Sequence, residues 1–253
     1  MNIRRRRYSL RIILPVTAIA ALAAFSFTGC SDKKTSPNGP STITVIYDNG
    51  AFVTHPGTGY NGADVSALHD GFSTLGFTCD SSLGYKLADD FTVPAGQSWY
   101  IDEMTFYPYQ SGVTDTMSTI TGLYVQIWSG YPDSAGSTVV WGSPDFNVLK
   151  SSVWSGCYRT NAGDTATAYT RPIMSTTCDV KQPFQAGTYW VEFAAEGSMA
   201  SGPYAVPIDT LGVLVTGNGI QYNPNDSTWS AVHDGSSLTA MQGFPFRITG
   251  YIQ

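Results

Sequence analysis

Apolar residues recur at every second position in several separate stretches of this chain, and this pattern constrains the fold more than any other feature. The alternating sets are Ile43, Val45 and Tyr47; Leu123, Val125 and Ile127; Tyr189, Val191 and Phe193; and Phe244, Phe246 and Ile248. A period of two puts successive side chains on opposite faces and is typical of half-buried β-strands. No stretch after residue 31 has a sustained helical period, and we expect only Asp64 to His69 to form a helical turn or two.

Turn signals separate these stretches at short intervals. They are Asp48-Asn49-Gly50, Asn61-Gly62, Asp70-Gly71, Asn218-Gly219 and Asp234-Gly235, which tolerate the positive φ angles of tight turns. All but three of the 19 acidic residues are Asp, a residue that favours turns over helices. Many short strands with no intervening helices predict an all-β fold, a single β-sandwich of jelly-roll type, with a closed barrel as the alternative.

The alternation changes phase within one predicted strand. Trp99 and Ile101 are apolar at odd positions, whereas Met104 and Phe106 are apolar at even positions. A β-bulge at Asp102-Glu103 would keep all four side chains on one face, because a bulge adds one residue to one strand. We therefore predict a bulge there.

Residues 1–29 have the layout of an export signal. Five arginines lie within the first 11 positions, and the apolar run that follows, 12–27, is shorter than the roughly 20 residues that a transmembrane helix needs. Phe27-Thr28-Gly29-Cys30 resembles the lipobox of bacterial lipoproteins, in which the signal is cut before a cysteine that carries a diacylglycerol. The resemblance implies that Cys30 is lipidated; a plain secretory signal is the alternative.

The chain after Cys30 divides into a linker and one domain. Residues 31–41 are polar, contain two prolines and include no apolar side chain, so we expect residues 30–41 to form a lipidated, flexible linker and 42–253 to form the β-sandwich. Two or three acyl chains hold a protein firmly on a membrane. Because Ser31 rather than Asp follows the cysteine, the likeness to lipoproteins implies an outer-membrane or cell-surface location.

The charge of the exported chain excludes one class of partner. Without residues 1–29 it has 8 basic and 19 acidic residues, a net charge of −11, and it has no cluster of Lys or Arg after Lys34. Nucleic-acid binding depends on clustered basic residues. We therefore expect neither nucleic acid nor an anionic membrane surface as a partner, and the expected membrane contact is the lipid anchor.

The segment from Leu87 to Asp102, LADDFTVPAGQSWYID, is similar to a signature of bacterial exported proteins in which ADDF precedes VP.G..W.ID. Further segments fit the same pattern, namely 46–50, 125–128, 171–173, 186–190 and 246–250. This resemblance implies a β-sandwich in an extracellular setting and assigns no catalytic residue. Read physically, Val93-Pro94-Ala95-Gly96 is a tight turn, after which Trp99 enters the core.

Motifs of enzyme chemistry are missing from the sequence. It contains no G-x-S-x-G, H-E-x-x-H, C-x-x-C or P-loop pattern, and its three histidines, His55, His69 and His233, lie in polar, loop-like surroundings. We expect a non-catalytic surface module that binds glycan or protein or scaffolds the envelope. The alternatives are an exported hydrolase acting on polysaccharide, which needs two facing carboxyls, and a structural lipoprotein without a ligand.

Trp128 and Trp190 are the candidate ligand-binding residues. Each lies on the strand face opposite an aliphatic stripe, and Glu192 shares a face with Trp190. If the stripe faces the core, the indoles face outward, where they could stack on sugar rings. If both faces are covered, the indoles belong to the core.

Calcium is the candidate metal. It binds six to eight oxygen atoms from Asp, Asn and backbone carbonyls, and Asp48, Asn49, Asp89 and Asp90 could supply them if their segments meet. The alternative is that these residues form turns and solvated carboxylates.

Three cysteines remain after Cys30. An oxidising compartment permits one disulfide, and Cys157 with Cys178 is the pairing that we favour, since a polar, glycine-containing loop joins their strands. The alternative is that Cys79, Cys157 and Cys178 are all small buried residues.

Overall fold

A computed structural model describes residues 42–68, 72–235 and 240–253 of the chain, all within one compact unit, Pro40–Gln253. The strands are β1 Thr44–Asp48, β2 Asp64–Ala67, β3 Phe77–Thr78, β4 Lys86–Phe106, β5 Pro108–Tyr109, β6 Ile120–Trp128, β7 Val139–Ser143, β8 Ser151–Thr160, β9 Pro172–Gly197, β10 Tyr204–Ala205, β11 Ile220–Asn223, β12 Thr228–Ala231 and β13 Phe246–Ile252. Two 3₁₀ turns, Tyr60–Gly62 and Ser81–Leu83, are the helical elements of the described part. The all-β prediction is confirmed. The predicted export signal, Cys30, the predicted linker to residue 41, His69 and Asp70-Gly71 lie outside the described residues.

One long antiparallel ribbon, β4 with β9, turns a single hydrogen-bonded sheet into two layers. The rings of Phe91 and Trp99 lie 6.3 Å apart, although eight residues of straight strand would separate them by about 26 Å. β4 therefore bends sharply between these residues. The ladder to β9 is interrupted between Val93 and Ser98, where Gly96 has a φ of 81°, but residues 86–106 form one strand, so the predicted tight turn between two strands is instead an irregularity within β4.

The two halves of the ribbon belong to different layers. In layer one the strand order is β12-β11-β4-β9-β6-β7, with residues 86–93 of β4 and 187–197 of β9. In layer two the order is β1-β13-β4-β9-β8-β2, with residues 98–106 of β4 and 172–185 of β9. Both layers end in edge strands in the described part, so the sheet is open. The fold is a sandwich, jelly-roll-like in that one ribbon wraps around the core.

The main core lies between the layers, and its members confirm the change of phase in β4. Ile101 and Met104 are both fully buried in it, and the ladders on either side of β4 shift register so that Asp102 has no partner. The predicted bulge is confirmed. Trp99 is buried in the same core, as predicted.

The predicted helical turn in Asp64 to His69 is wrong for the residues that the structure describes. Asp64–Ala67 is strand β2, which pairs parallel with the end of β8. Val65, Ser66 and Ala67 are all buried. Because both faces of the strand are covered, the sequence lacks the alternation that identifies a half-buried strand. In the described ranges, no helix is long and apolar enough to cross a membrane.

Candidate functional site on the outer face of layer one

The outer face of layer one carries the tryptophans that the sequence singled out. In β6, Leu123, Val125 and Ile127 point into the main core. Since side chains alternate along a strand, Gln126 and Trp128 point away from the core. The aliphatic stripe of β6 therefore faces inward, but the opposite face is covered as well, because Trp128 is half-buried against a second apolar cluster of Ala88, Trp190 and Ile220. The alternative that the indoles belong to a core is correct for Trp190, and Trp128 lies at the edge of that cluster.

Strand register assembles this outer face from five strands, β4, β6, β9, β11 and β12. Trp128 of β6 lies opposite Trp190 of β9, and Gln126 lies opposite Glu192. On the other side of β9, the ladder between β4 and β11 places Lys86 opposite Tyr222. We call the set of side chains Lys86, Gln126, Trp128, Trp190, Glu192, Tyr222 and Trp229 the aromatic face.

Glu192 is the polar centre of the aromatic face. It is 2% exposed, and its Oε2 accepts hydrogen bonds from Gln126 Nε2 at 2.7 Å and from Trp128 Nε1 at 2.9 Å. Lys86 Nζ lies 3.0 Å from Oε1 and forms an ion pair with it. A buried carboxylate needs such partners, because an unpaired charge is costly to remove from water. Glu192 therefore fixes the positions of three neighbouring side chains.

Aromatic rings extend the site on both sides of Glu192. Lys86 Nζ lies 5.0 Å from the ring centroid of Tyr222, a cation–π distance, and the Tyr222 ring contacts Trp229 at 5.5 Å. The β6–β7 connection contributes Asp133, whose Oδ2 accepts a hydrogen bond from Trp229 Nε1 at 3.0 Å. These contacts join β6, β11 and β12 across one surface.

Tyr131 covers Trp190. The two rings meet edge to face at 5.1 Å, which leaves Trp190 9% exposed, whereas Tyr131 is 40% exposed. Trp128 and Trp229 are half-buried. Ring surface that a ligand can reach therefore belongs to Tyr131, Trp128 and Trp229, and Trp190 supports them from below.

A small cavity of about 60 Å³ opens beside Glu192. Its lining includes Lys86, Tyr124, Gln126, Pro144 and Glu192. The cavity can hold one or two water molecules or a single polar group of a ligand. Tyr131, Trp128 and Trp229 are not among its lining residues, so the cavity is a separate feature on the Lys86 side of Glu192.

The structure brings together Trp128, Trp190 and Glu192, the three predicted ligand residues. Sequence reasoning missed Lys86, Gln126, Tyr131 and Trp229 as members of the same site. Gln126 could have been found, since it alternates in phase with Trp128. The others come from distant segments, and no signal in the sequence places them beside Glu192.

The four residues proposed for calcium do not converge. Asp48 pairs with Arg247, whose Nη2 lies 2.9 Å from Oδ2. Asp89 and Asp90 are neighbours in β4 and point to opposite faces, and Asp90 Oδ1 accepts from Asn218 Nδ2 at 2.7 Å. Among the described residues, no group of three or more His, Cys, Asp or Glu side chains could hold a metal ion. The calcium prediction is wrong for this set.

Asn49 and Asp89 do meet, in a buried hydrogen-bond cluster beside the core. Asp89 Oδ2 accepts from Asn49 Nδ2 at 2.9 Å and from the backbone N–H of Phe244 at 2.7 Å, while Tyr47 donates to Asn49 Oδ1. Burial raises the pKa of Asp89 to about 7, although the N–H donors act against it. The cluster ties β1 and β4 to the segment before β13.

All three described cysteines are free and buried. Cys178 lies in the main core, and Cys157 lies in a separate apolar cluster with Phe52 and Ile173. The favoured disulfide between Cys157 and Cys178 is therefore wrong, and the alternative of small buried residues is correct. Burial raises the pKa of each thiol.

The described histidines do not form catalytic pairs. His55 Nδ1 contacts the neighbouring Thr54 hydroxyl at 2.9 Å, and His233 lies in an isolated bridge with Met241.

The fold and the aromatic face define this chain as a two-layered β-sandwich with an aromatic surface organised around one buried carboxylate. No model of a known protein family matches the sequence, and no curated protein matches it significantly.

Proposed function

We propose that this protein is a surface-anchored, non-catalytic lipoprotein whose β-sandwich binds glycan through the aromatic face. The observation that carries the proposal is the hydrogen bond from Trp128 to Glu192. It holds the indole of Trp128 in one orientation on the side of the sheet that faces away from the main core. Preorganised rings bind at a low cost in conformational entropy.

Carbohydrate is the ligand chemistry that suits this surface. Sugar rings present C–H groups that stack on aromatic rings, and hydroxyls that need both donors and acceptors. Tyr131, Trp128 and Trp229 supply rings, and the partly exposed ammonium of Lys86 lies at the cavity beside Glu192. The net charge of −11 on the exported chain repels anionic polymers, so a neutral glycan is favoured.

The hydrogen bonds of Glu192 argue against hydrolysis at this site. Glycosidases need one carboxyl as acid and a second one roughly 5–10 Å away. Both carboxyl oxygens of Glu192 are engaged, Oε1 by Lys86 and Oε2 by Gln126 and Trp128, so the carboxyl serves as an acceptor within the sheet. An exported hydrolase is therefore not proposed here, but the binding test below would reveal one.

Binding is tested on residues 40–253, which form one compact unit, with an array of neutral and anionic glycans. We expect binding to neutral glycans, a loss of about tenfold or more in Trp128→Ala, and retention in the control Trp154→Ala. Trp154 is a matched control because its indole donates to Cys157 O in layer two, away from the aromatic face. Unchanged binding in Trp128→Ala would contradict the proposal.

The same array distinguishes the alternative functions. Release of shortened glycan indicates a hydrolase, and the absence of any glycan binding leaves a protein-binding or purely structural lipoprotein. An EDTA arm checks calcium dependence, and we expect no effect because the described carboxylates do not form a cation site.

Anchoring has a separate test. Labelling of expressing bacteria with palmitate should mark the full-length protein and leave Cys30→Ala unmarked, with the marked protein in the outer-membrane fraction. Equal labelling of both proteins, or none in either, would contradict lipidation at Cys30.

A further inference from the structure

A second surface, distant in sequence from the aromatic face, carries a concentrated run of exposed aliphatic side chains. The connection between β10 and β11 includes residues 210–217, which we call the 210–217 loop. It contains no charged residue, and Leu211, Val213, Leu214 and Val215 are each between 40 and 56% exposed. Single exposed aliphatics are ordinary on protein surfaces, whereas four within five residues mark an interaction site.

Hydrogen bonds hold the 210–217 loop in a defined shape. The buried Gln242 donates from Nε2 to Leu214 O at 3.0 Å, and Thr216 N donates to Met241 O at 2.9 Å. At the residue just before the loop, Asp209 Oδ2 forms an ion pair with the fully buried Arg159 at 2.7 Å. The aliphatic side chains are therefore presented outward from a fixed backbone.

The lipid anchor indicates what this loop contacts. Residues 31–41 separate Cys30 from the domain and span up to about 36–40 Å when extended. Asp209, the residue before the loop, donates its N–H to Ala51 O, and Ala51 is at most about 25 Å along the chain from Thr44, where β1 begins. The linker is thus long enough to run back along β1 and bring the loop to the bilayer that holds the lipid.

We propose that the 210–217 loop inserts its aliphatic side chains into the bilayer to which the protein is anchored. The inference rests on the anchoring proposed above. Anionic headgroups would repel a chain of net charge −11, so electrostatic attraction cannot hold it on the membrane. An uncharged, aliphatic loop avoids this repulsion. The loop then acts as a second contact that fixes the orientation of the domain on the membrane.

The test uses unlipidated residues 40–253 and phosphatidylcholine vesicles, with sedimentation as the readout. We expect measurable binding that falls roughly tenfold or more in the double variant Leu211→Ser/Leu214→Ser. The control Val140→Ser/Val153→Ser removes two aliphatics of similar exposure elsewhere and should bind as the unmodified domain does. Circular dichroism checks that both variants are folded.

A second measurement places the loop in the acyl region. In Leu214→Trp, vesicles should shift the fluorescence of the added indole to shorter wavelength. No vesicle binding by the unmodified domain, or equal losses in both double variants, would overturn the proposal. A dimer in sedimentation velocity that only the Leu211→Ser/Leu214→Ser variant dissolves would also overturn it, because the loop would then cover a second copy. Palmitate labelling is unaffected by this result, so the two proposals fail separately.

Discussion

Trp128 donates its indole N–H to Oε2 of Glu192 over 2.9 Å, across the ladder between β6 and β9. Glu192 lies below the surface and Trp128 lies at it. The ring that a ligand would touch is therefore oriented by a carboxylate that the ligand does not need to reach. Binding and stability are coupled at this point.

Removal of the Glu192 carboxylate should destabilise the fold. Glu192→Ala leaves the donors of Gln126 and Trp128 unpaired and Lys86 without its ion pair, so we expect a loss of about 2–4 kcal/mol in the free energy of unfolding. The control is Glu196→Ala in the same strand, where an exposed Glu accepts from Tyr124, and it should cost less than about 1 kcal/mol. Urea unfolding measures both; equal losses would contradict the role of Glu192.

Asp89 should make stability depend on pH. Its folded pKa, about 7, is above the ordinary value of 3.8, so the folded state binds the proton more tightly than the unfolded state does. The stabilisation from this proton is complete below about pH 4 and is lost as the pH rises towards 7.

The variant Asp89→Asn lacks this titration. We therefore expect the stability of the unmodified domain relative to Asp89→Asn to be greatest near pH 4 and to decrease up to pH 7. Urea unfolding at several pH values measures the difference. A difference that grows with pH would show that the hydrogen bonds from Asn49 and Phe244 outweigh burial.

The bulge in β4 should tolerate a deletion that its neighbours do not. Without Asp102, Ile101 and Met104 are separated by one residue, so regular alternation keeps both in the core. We expect deletion of Asp102 to cost roughly 2 kcal/mol or less, while deletion of Thr105 turns Phe106 or Met104 outward and costs more than about 4 kcal/mol. Thermal unfolding monitored by circular dichroism measures both. Equal damage from the two deletions would argue against a bulge at this position.

The thiols of residues 40–253 should be unreactive until the protein unfolds. Cys79, Cys157 and Cys178 are buried, and burial raises the pKa of each, so little thiolate is available. Ellman's reagent should titrate close to no thiol in the native domain and three thiols in urea. Intact mass should show no loss of hydrogen. A titration of one thiol in urea would reveal a disulfide.

Local patterns predicted the parts of the fold that depend on neighbouring residues. The alternation in β6 placed Trp128 on the face of the sheet opposite the main core. The phase change at Asp102 located the bulge. Each of these depends only on the pleat of one strand. β2 was mispredicted because both of its faces are buried. The bend in β4 between Phe91 and Trp99 was predicted as a turn between two strands, not as a bend within one strand that joins two layers.

The part of the aromatic face that lies within single strands was predicted, because alternation along one strand is a local property. Trp190 and Glu192 lie in one strand, so their shared face is a local property. The pairing of Lys86 with Glu192 depends on the register between β4 and β9, and the covering of Trp190 by Tyr131 depends on the path of a connection. The buried ion pair of Arg159 and Asp209 is equally non-local. Such contacts depend on how distant segments pack together, and no local pattern in a single sequence predicts that packing.

The most direct measurement is a titration of the uniformly ¹⁵N-labelled domain with the best glycan from the array, following the indole N–H signals of its tryptophans. The signals of Trp128 and Trp229 should move as glycan is added, because both indoles lie on the aromatic face, and that of Trp154 should stay in place because it lies in layer two. Shifts confined to Trp154, or none at Trp128 while glycan binds, would contradict a glycan-binding aromatic face.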